Sequence, residues 1–187
     1  MEFEKIIKKH HSGEAIEYGI IFGNEKIVFI KTGAGGDIHG YGDKYIRMAH
    51  RAHEKLGATV ICASNPDVRH GDVDVKTLGS VIDEVGVEDF ELYFVGTSDG
   101  AYQNLQLASR FPETKKLLGI NTSLITLEGL QEKLLALPNV EKILVYGKND
   151  YEYDLVFPAL RNFKCENLKS VFIDLPSGLN CLYIWWT

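Results

Sequence analysis

The chain has no tract of basic residues, and its net charge is −6. That balance argues against nucleic acid or an anionic membrane surface as the main partner. Cysteine is scarce. Cys62, Cys165 and Cys181 are scattered without metal-ligand spacing, and an odd, sparse set reads as reduced thiols in a cytoplasmic protein. No apolar run reaches the length of a membrane span. The start, Met1-Glu2-Phe3-Glu4-Lys5, is charged from the first residues, so a signal peptide is not expected. There is no internal repeat and no low-complexity linker. Histidine, finally, is missing everywhere beyond His70.

What is present is ordinary for a folded domain: 187 residues, 45% hydrophobic and 25% charged. That length suggests one domain with a sizeable core. Short apolar runs alternate with helix-like stretches. Strands are expected over Ala15 to Phe22, Lys26 to Lys31, Thr59 to Ala63, Glu91 to Val95, Leu117 to Asn121, Lys142 to Gly147 and Lys169 to Leu175. The first of these reads as an antiparallel edge. Helices are expected over Asp43 to Leu56 (ending at Gly57), Val75 to Val85, Ala101 to Arg110, Glu128 to Leu135 and Asp154 to Phe163. Ser64 to Asp74 reads as a polar loop. Apolar strands without alternation, separated by helices, imply an α/β fold with a mainly parallel sheet covered on both faces. In such sheets functional residues gather at the carboxyl ends of the strands.

Three segments at strand ends carry chemistry. Gly96-Thr97-Ser98-Asp99-Gly100 lies between the apolar Leu92 to Val95 and a helix-like stretch. This is G-x-S-x-G, the nucleophile elbow, in which a sharp strand-to-helix turn exposes a strained serine. Glycine is wanted two residues either side because larger side chains would collide. The following helix offers free N–H groups and the positive end of its dipole to developing negative charge. The second segment is Thr32-Gly33-Ala34-Gly35-Gly36, directly after a strand. By itself it is either a flexible turn or a place where backbone approaches a ligand closely. The third is Ile143 to Asp150, a strand running into Gly147-Lys148-Asn149-Asp150. Asp150 reads either as a catalytic acid or as a turn residue and helix cap.

Taken together, these segments resemble the α/β-hydrolase superfamily over nearly the whole chain. The resemblance implies a three-layer sandwich, a mainly parallel central sheet with helices on both faces. It implies a serine hydrolase of esterase type, with Ser98 forming an acyl-enzyme. Thr32 to Gly36 resembles the family's oxyanion loop, with Thr32 where histidine is common. The backbone N–H of Asp99, with that of Ala34 or Gly35, would then hold the oxyanion, and Asp150 would be the triad acid. The order Ser98 then Asp150 is the family's order. No cofactor and no metal is implied.

The general base is the exception. Where the family places its histidine, after the last strand, the best correspondence is Asn180 in Leu179-Asn180-Cys181. Asparagine cannot take a proton from a serine hydroxyl, and a base typically contributes on the order of 100- to 10,000-fold. Of the histidines present, His10 and His11 fall in the N-terminal segment and are expected to be solvated. His50 and His53 lie at i and i+3 beside Glu54, but two ligands do not make a metal site. His39 follows the glycine-rich loop and His70 follows the strand Thr59 to Ala63, so these two are weak candidates for the base. The alternative is a hydrolase-like protein, impaired in catalysis, that binds a ligand or protein partner.

Two further expectations follow. The tail Leu182-Tyr183-Ile184-Trp185-Trp186-Thr187 holds both tryptophans. It is expected to pack on the body or on a second subunit, which makes it the candidate surface for a homodimer. It is either diverged or shortened relative to the family, whose members usually continue into a terminal helix. Between Asn121 and Lys142 there is space for one short helix, so no sizeable lid is expected and the substrate should be a small soluble ester, thioester or amide. An inward-facing Asp99 would disfavour anionic substrates.

Overall fold

The computed structural model describes residues 1–11, 13–66, 75–124 and 126–174. Among the described residues, eight strands form one sheet: β1 (Lys5–His11), β2 (Glu14–Ile21), β3 (Asn24–Lys31), β4 (Ala58–Ala63), β5 (Glu91–Thr97), β6 (Thr114–Ile120), β7 (Glu141–Gly147) and β8 (Leu168–Ile173). Their order is β1-β2-β4-β3-β5-β6-β7-β8. The β1–β2 and β2–β4 pairs are antiparallel, and every later pairing is parallel. The central strands are apolar without alternation because both faces are covered: every residue of β4 is buried.

Five α-helices of the described residues cross between them: α1 (Lys44–Leu56), α2 (Val75–Val85), α3 (Asp99–Ala108), α4 (Leu127–Leu135) and α5 (Tyr153–Arg161). They make two cores, one on each face of the sheet. Tyr45, Met48, Ala49 and Ala52 of α1 pack on Val28, Ile30, Val60 and Val95. On the other face α2 to α5 cover Phe29, Phe94, Leu117 and Tyr146, with Leu78, Leu105, Leu130 and Val156 among their contributions. The helix α1 stops where expected, because Gly57 takes a left-handed conformation (φ 64°) and its N–H closes on His53 O. No helix among the described residues is long and apolar enough to cross a membrane.

One expectation needs correcting. The strand Glu14–Ile21 is antiparallel as expected, but it is not the edge; β1 lies outside it. The segment Lys5–His11 conceals this by being charged. Ile7 is buried in the core, while Ile6 is exposed. Lys5 and Lys9 both pair with Glu84 of α2, at 2.9 and 3.0 Å, and Lys8 pairs with Glu17 of β2 at 2.6 Å. Lysines on an outermost strand discourage further strand addition. His10 is exposed within this strand.

Because β3, β5, β6 and β7 run parallel, their carboxyl ends share one edge of the sheet. The loop after β3, Ser98 after β5 and Asp150 after β7 all lie there.

Candidate active site

Ser98 sits on a left-handed turn between β5 and α3, at φ 54° and ψ −123°. Such backbone typically costs about 1–3 kcal/mol and persists only where its surroundings hold it. Here its N–H donates to Ile120 O at 2.9 Å, and its carbonyl accepts from Ala101 at 3.0 Å and from Ser123 at 3.2 Å. The two flanking glycines are required by contact. A Cβ on Gly96 would run into the backbone of Ala101, and one on Gly100 into the carbonyls of Lys31 and Thr32. The first turn of α3 therefore rests directly on the end of β3.

The loop after β3 lies against the serine. A Cβ placed on Gly33 would be 3.6 Å from Ser98 Cβ and 3.4 Å from Thr97 O. The Gly33 N–H is already used, donating to the buried Tyr45 hydroxyl at 3.0 Å. The Gly36 N–H donates to Gly33 O at 2.9 Å. That leaves Ala34 and Gly35, both exposed, whose N–H groups meet no acceptor among the described residues. The Asp99 N–H, first in α3, is likewise without an acceptor there, as a helix start leaves it.

Asp150 follows β7 on the same edge. Its Oδ1 accepts from Glu152 N–H at 3.0 Å, so it does act as a turn residue before α5. No partner among the described residues occupies Oδ2. Neighbouring strand ends are tied together: Asn121 Oδ1 accepts from Gly147 N–H at 2.9 Å, and Glu152 Oε1 from Leu124 N–H at 3.1 Å. Burial pushes the Glu152 carboxyl above its ordinary pKa, against the pull of the Leu124 bond.

No family model matches the sequence, and no curated protein matches it significantly. Solved structures do match. An α/β serine hydrolase homologue from Coxiella burnetii is 16% identical, with 92% of this chain and 88% of that one covered, at a TM-score of 0.67. An α/β serine hydrolase without lid from Xanthomonas campestris is 18% identical over 90% of this chain and 83% of that one, at 0.63. A dienelactone hydrolase from Anabaena variabilis is 16% identical over 97% and 93%, also at 0.63. This is the α/β-hydrolase fold.

Within the α/β-hydrolase fold, the residues singled out from sequence divide into three groups. Ser98, Asp99, Ala34, Gly35 and Asp150 share the carboxyl edge of the sheet. His70 and Asn180, and the aromatic tail with them, lie outside the described residues. His39 is placed, but its partners draw it elsewhere: its ring meets Phe3 edge-on with centroids 6.0 Å apart, and Nδ1 lies 3.9 Å from Asp43. It makes no hydrogen bond to Ser98, whose hydroxyl has no partner among the described residues. His50 and His53 are separately engaged, with Glu2 O at 3.0 Å and Ala58 O at 2.9 Å. Among the described residues no cluster of His, Cys, Asp or Glu could hold a metal ion.

Sequence reasoning missed a polar network behind the serine. The Asp99 carboxylate does not stand free toward a substrate. Its Oδ2 accepts from Asn65 Nδ2 at 2.8 Å and from Gln103 Nε2 at 2.6 Å. Two amide donors thus engage one oxygen of this half-buried carboxylate. Lys31, at the end of β3, is buried and donates to Ser64 O at 2.6 Å. Burial lowers its pKa to about 8, while the Asp99 charge pulls the other way. Only Asp99 and Gln103, four apart on one helix, carried a local signal. Tyr45 and Asn65 reach the site from distant elements.

Proposed function

We propose that the protein is a serine hydrolase acting on a small ester, thioester or amide through an acyl-enzyme on Ser98. The observation that carries this reading is the strained left-handed turn of Ser98 between β5 and α3, with the loop after β3 packed against it. Ser98 Oγ attacks the acyl carbon while its proton passes to a base. The carbonyl oxygen takes up the negative charge and is held by the N–H of Asp99 and that of Ala34 or Gly35. Collapse expels the leaving group, which takes the proton, and water then releases the acyl group by the same route. Asp150 orients the base, for which its Oδ2 is free among the described residues. The short crossover from β6 to β7, holding α4, supports an open site and a small substrate. The sparse free thiols, Cys62 and Cys165 among the described residues, support a cytoplasmic location.

A second reading is a ligand- or partner-binding protein on the same fold. It is favoured by one observation: no histidine among the described residues bonds to the Ser98 hydroxyl. Hydrolysis of p-nitrophenyl acetate and labelling by a fluorophosphonate decide between them. Both are expected in the wild type, and both should vanish in Ser98→Ala while the melting temperature is kept. Labelling that survives in Ser98→Ala, or a wild type with no turnover, overturns the hydrolase reading.

A further inference from the structure

The proposed oxyanion hole is built from two segments far apart in sequence, the loop 32–36 and the turn 98–99. One buried side chain touches both. Asn65, two residues beyond the end of β4, is 3% exposed. Its backbone N–H donates to Gly36 O at 2.8 Å. Its Nδ2 donates to Asp99 Oδ2 at 2.8 Å and reaches Thr32 O at 3.4 Å. Its Oδ1 accepts from Gln103 Nε2 at 3.1 Å, and the same Gln103 nitrogen donates to Asp99. The two ends of the loop and the residue after the serine are thus fastened to one residue, Gly36 through its backbone N–H and Thr32 and Asp99 through its side-chain amide.

Resting on the hydrolase reading above, we propose that Asn65 is a positioning residue that holds the two halves of the oxyanion hole in register. The physical need is clear. Donors must stand about 2.7–3.1 Å from the place where the oxyanion forms, so small displacements weaken them steeply. Ala34 and Gly35 are exposed, and Gly35 has a left-handed backbone (φ 67°). Nothing on their own side chains holds them, so the loop is fixed at its ends: at Gly36 by the Asn65 backbone N–H and by the Thr32 hydroxyl at 3.0 Å, and at Thr32 by the Asn65 Nδ2 at 3.4 Å. Asparagine suits this place because it donates to Asp99 and accepts from Gln103 at once. Aspartate would set two carboxylates against each other, and alanine would remove the acceptor that Gln103 Nε2 shares with Asp99 and leave Asp99 with one donor fewer.

The test is p-nitrophenyl acetate hydrolysis, with Ser98→Ala as background and every variant read well below its melting temperature. Under those conditions all variants are folded, so lost stability alone moves neither kcat nor KM. Asn65→Ala is expected to lower kcat by about tenfold or more, with KM within about twofold, since outright loss of one oxyanion donor typically costs about 100- to 1,000-fold. Asn65→Asp should be at least as damaging. Adding Asp99→Asn to it restores a donor–acceptor pair with its direction reversed, and most of the lost kcat should return. An Asn65→Ala kcat within about twofold of wild type, or a change in KM alone, overturns the proposal. So does a double exchange that recovers nothing. If Asn65→Ala does not fold, Gln103→Ala takes its place, with a smaller fall in kcat expected and an unchanged kcat overturning the proposal. Wild-type turnover no higher than the Ser98→Ala background means instead that the hydrolase reading has failed. Hydrogen exchange then tests the clamp by itself: Asn65→Ala should speed exchange in 30–36 and 96–101 above all other segments, and unchanged exchange there refutes it.

Discussion

Lys31 shows what a single residue contributes at this sheet edge. Its ammonium lies under the proposed site, bonded to Ser64 O at 2.6 Å, and burial brings its pKa down to about 8. In the unfolded chain the same group keeps its proton to about 10.5. The unfolded state therefore binds more protons above pH 8, so stability rises with pH there, by up to about 1.4 kcal/mol per pH unit. Cys62 works in the opposite sense. Burial raises its thiol well above the ordinary value of 9.0, so native protein keeps that proton and loses stability once the unfolded thiol ionises. Between pH 8 and 9 the Lys31 gain outweighs the Cys62 loss, which grows mainly above that range. Urea unfolding should show a gain of about 1 kcal/mol across it in the wild type and none in Lys31→Met. A wild-type curve as flat as that of the variant would mean that Lys31 is not buried as a cation.

Elements were legible where one local rule dominated. β4 and β7 read directly as apolar runs because strands buried on both faces need no alternation. The elbow was legible for a backbone reason: Gly96 and Gly100 are forced by contacts with Ala101 and with Lys31 and Thr32, so they leave a fixed spacing in the sequence. β1 was not legible, because a lysine-rich edge strand is defined by what it pairs with rather than by its own pattern. Asn65 and Tyr45 were hidden for a related reason: their site partners are 12 or more residues away, across separate elements. The helix α4 offers a control at this scale. The Thr126 hydroxyl caps it, accepting from Gly129 N–H at 3.0 Å, and takes no part in the proposed chemistry. Thr126→Ala should cost about 1 kcal/mol in urea unfolding while leaving the fluorophosphonate labelling rate unchanged. A labelling rate that falls with this stability loss would tie α4 to the site.

For the whole molecule, the sheet gathers three strand ends on one edge and so assembles a serine, N–H groups without an acceptor among the described residues, and a carboxylate, from residues spread between 34 and 150. Acyl transfer at this edge also needs a proton acceptor. His39 has its ring against Phe3 and Asp43, so His39→Ala should leave labelling of Ser98 within about twofold of wild type, far short of the 100- to 10,000-fold that a base supplies. With no base, an oxyanion hole still sustains slow acylation, since that stabilisation does not depend on proton transfer. The wild type should then label slowly, and Asn180→His should raise the rate by about tenfold or more if this position corresponds, as the sequence resemblance implies, to that of the family's base. Asp150→Asn introduced alongside should remove most of that gain, because the new imidazole would lose the carboxylate that orients it. Fast wild-type labelling that disappears in His70→Ala would assign the base to His70 instead, and Asn180→His would then add little.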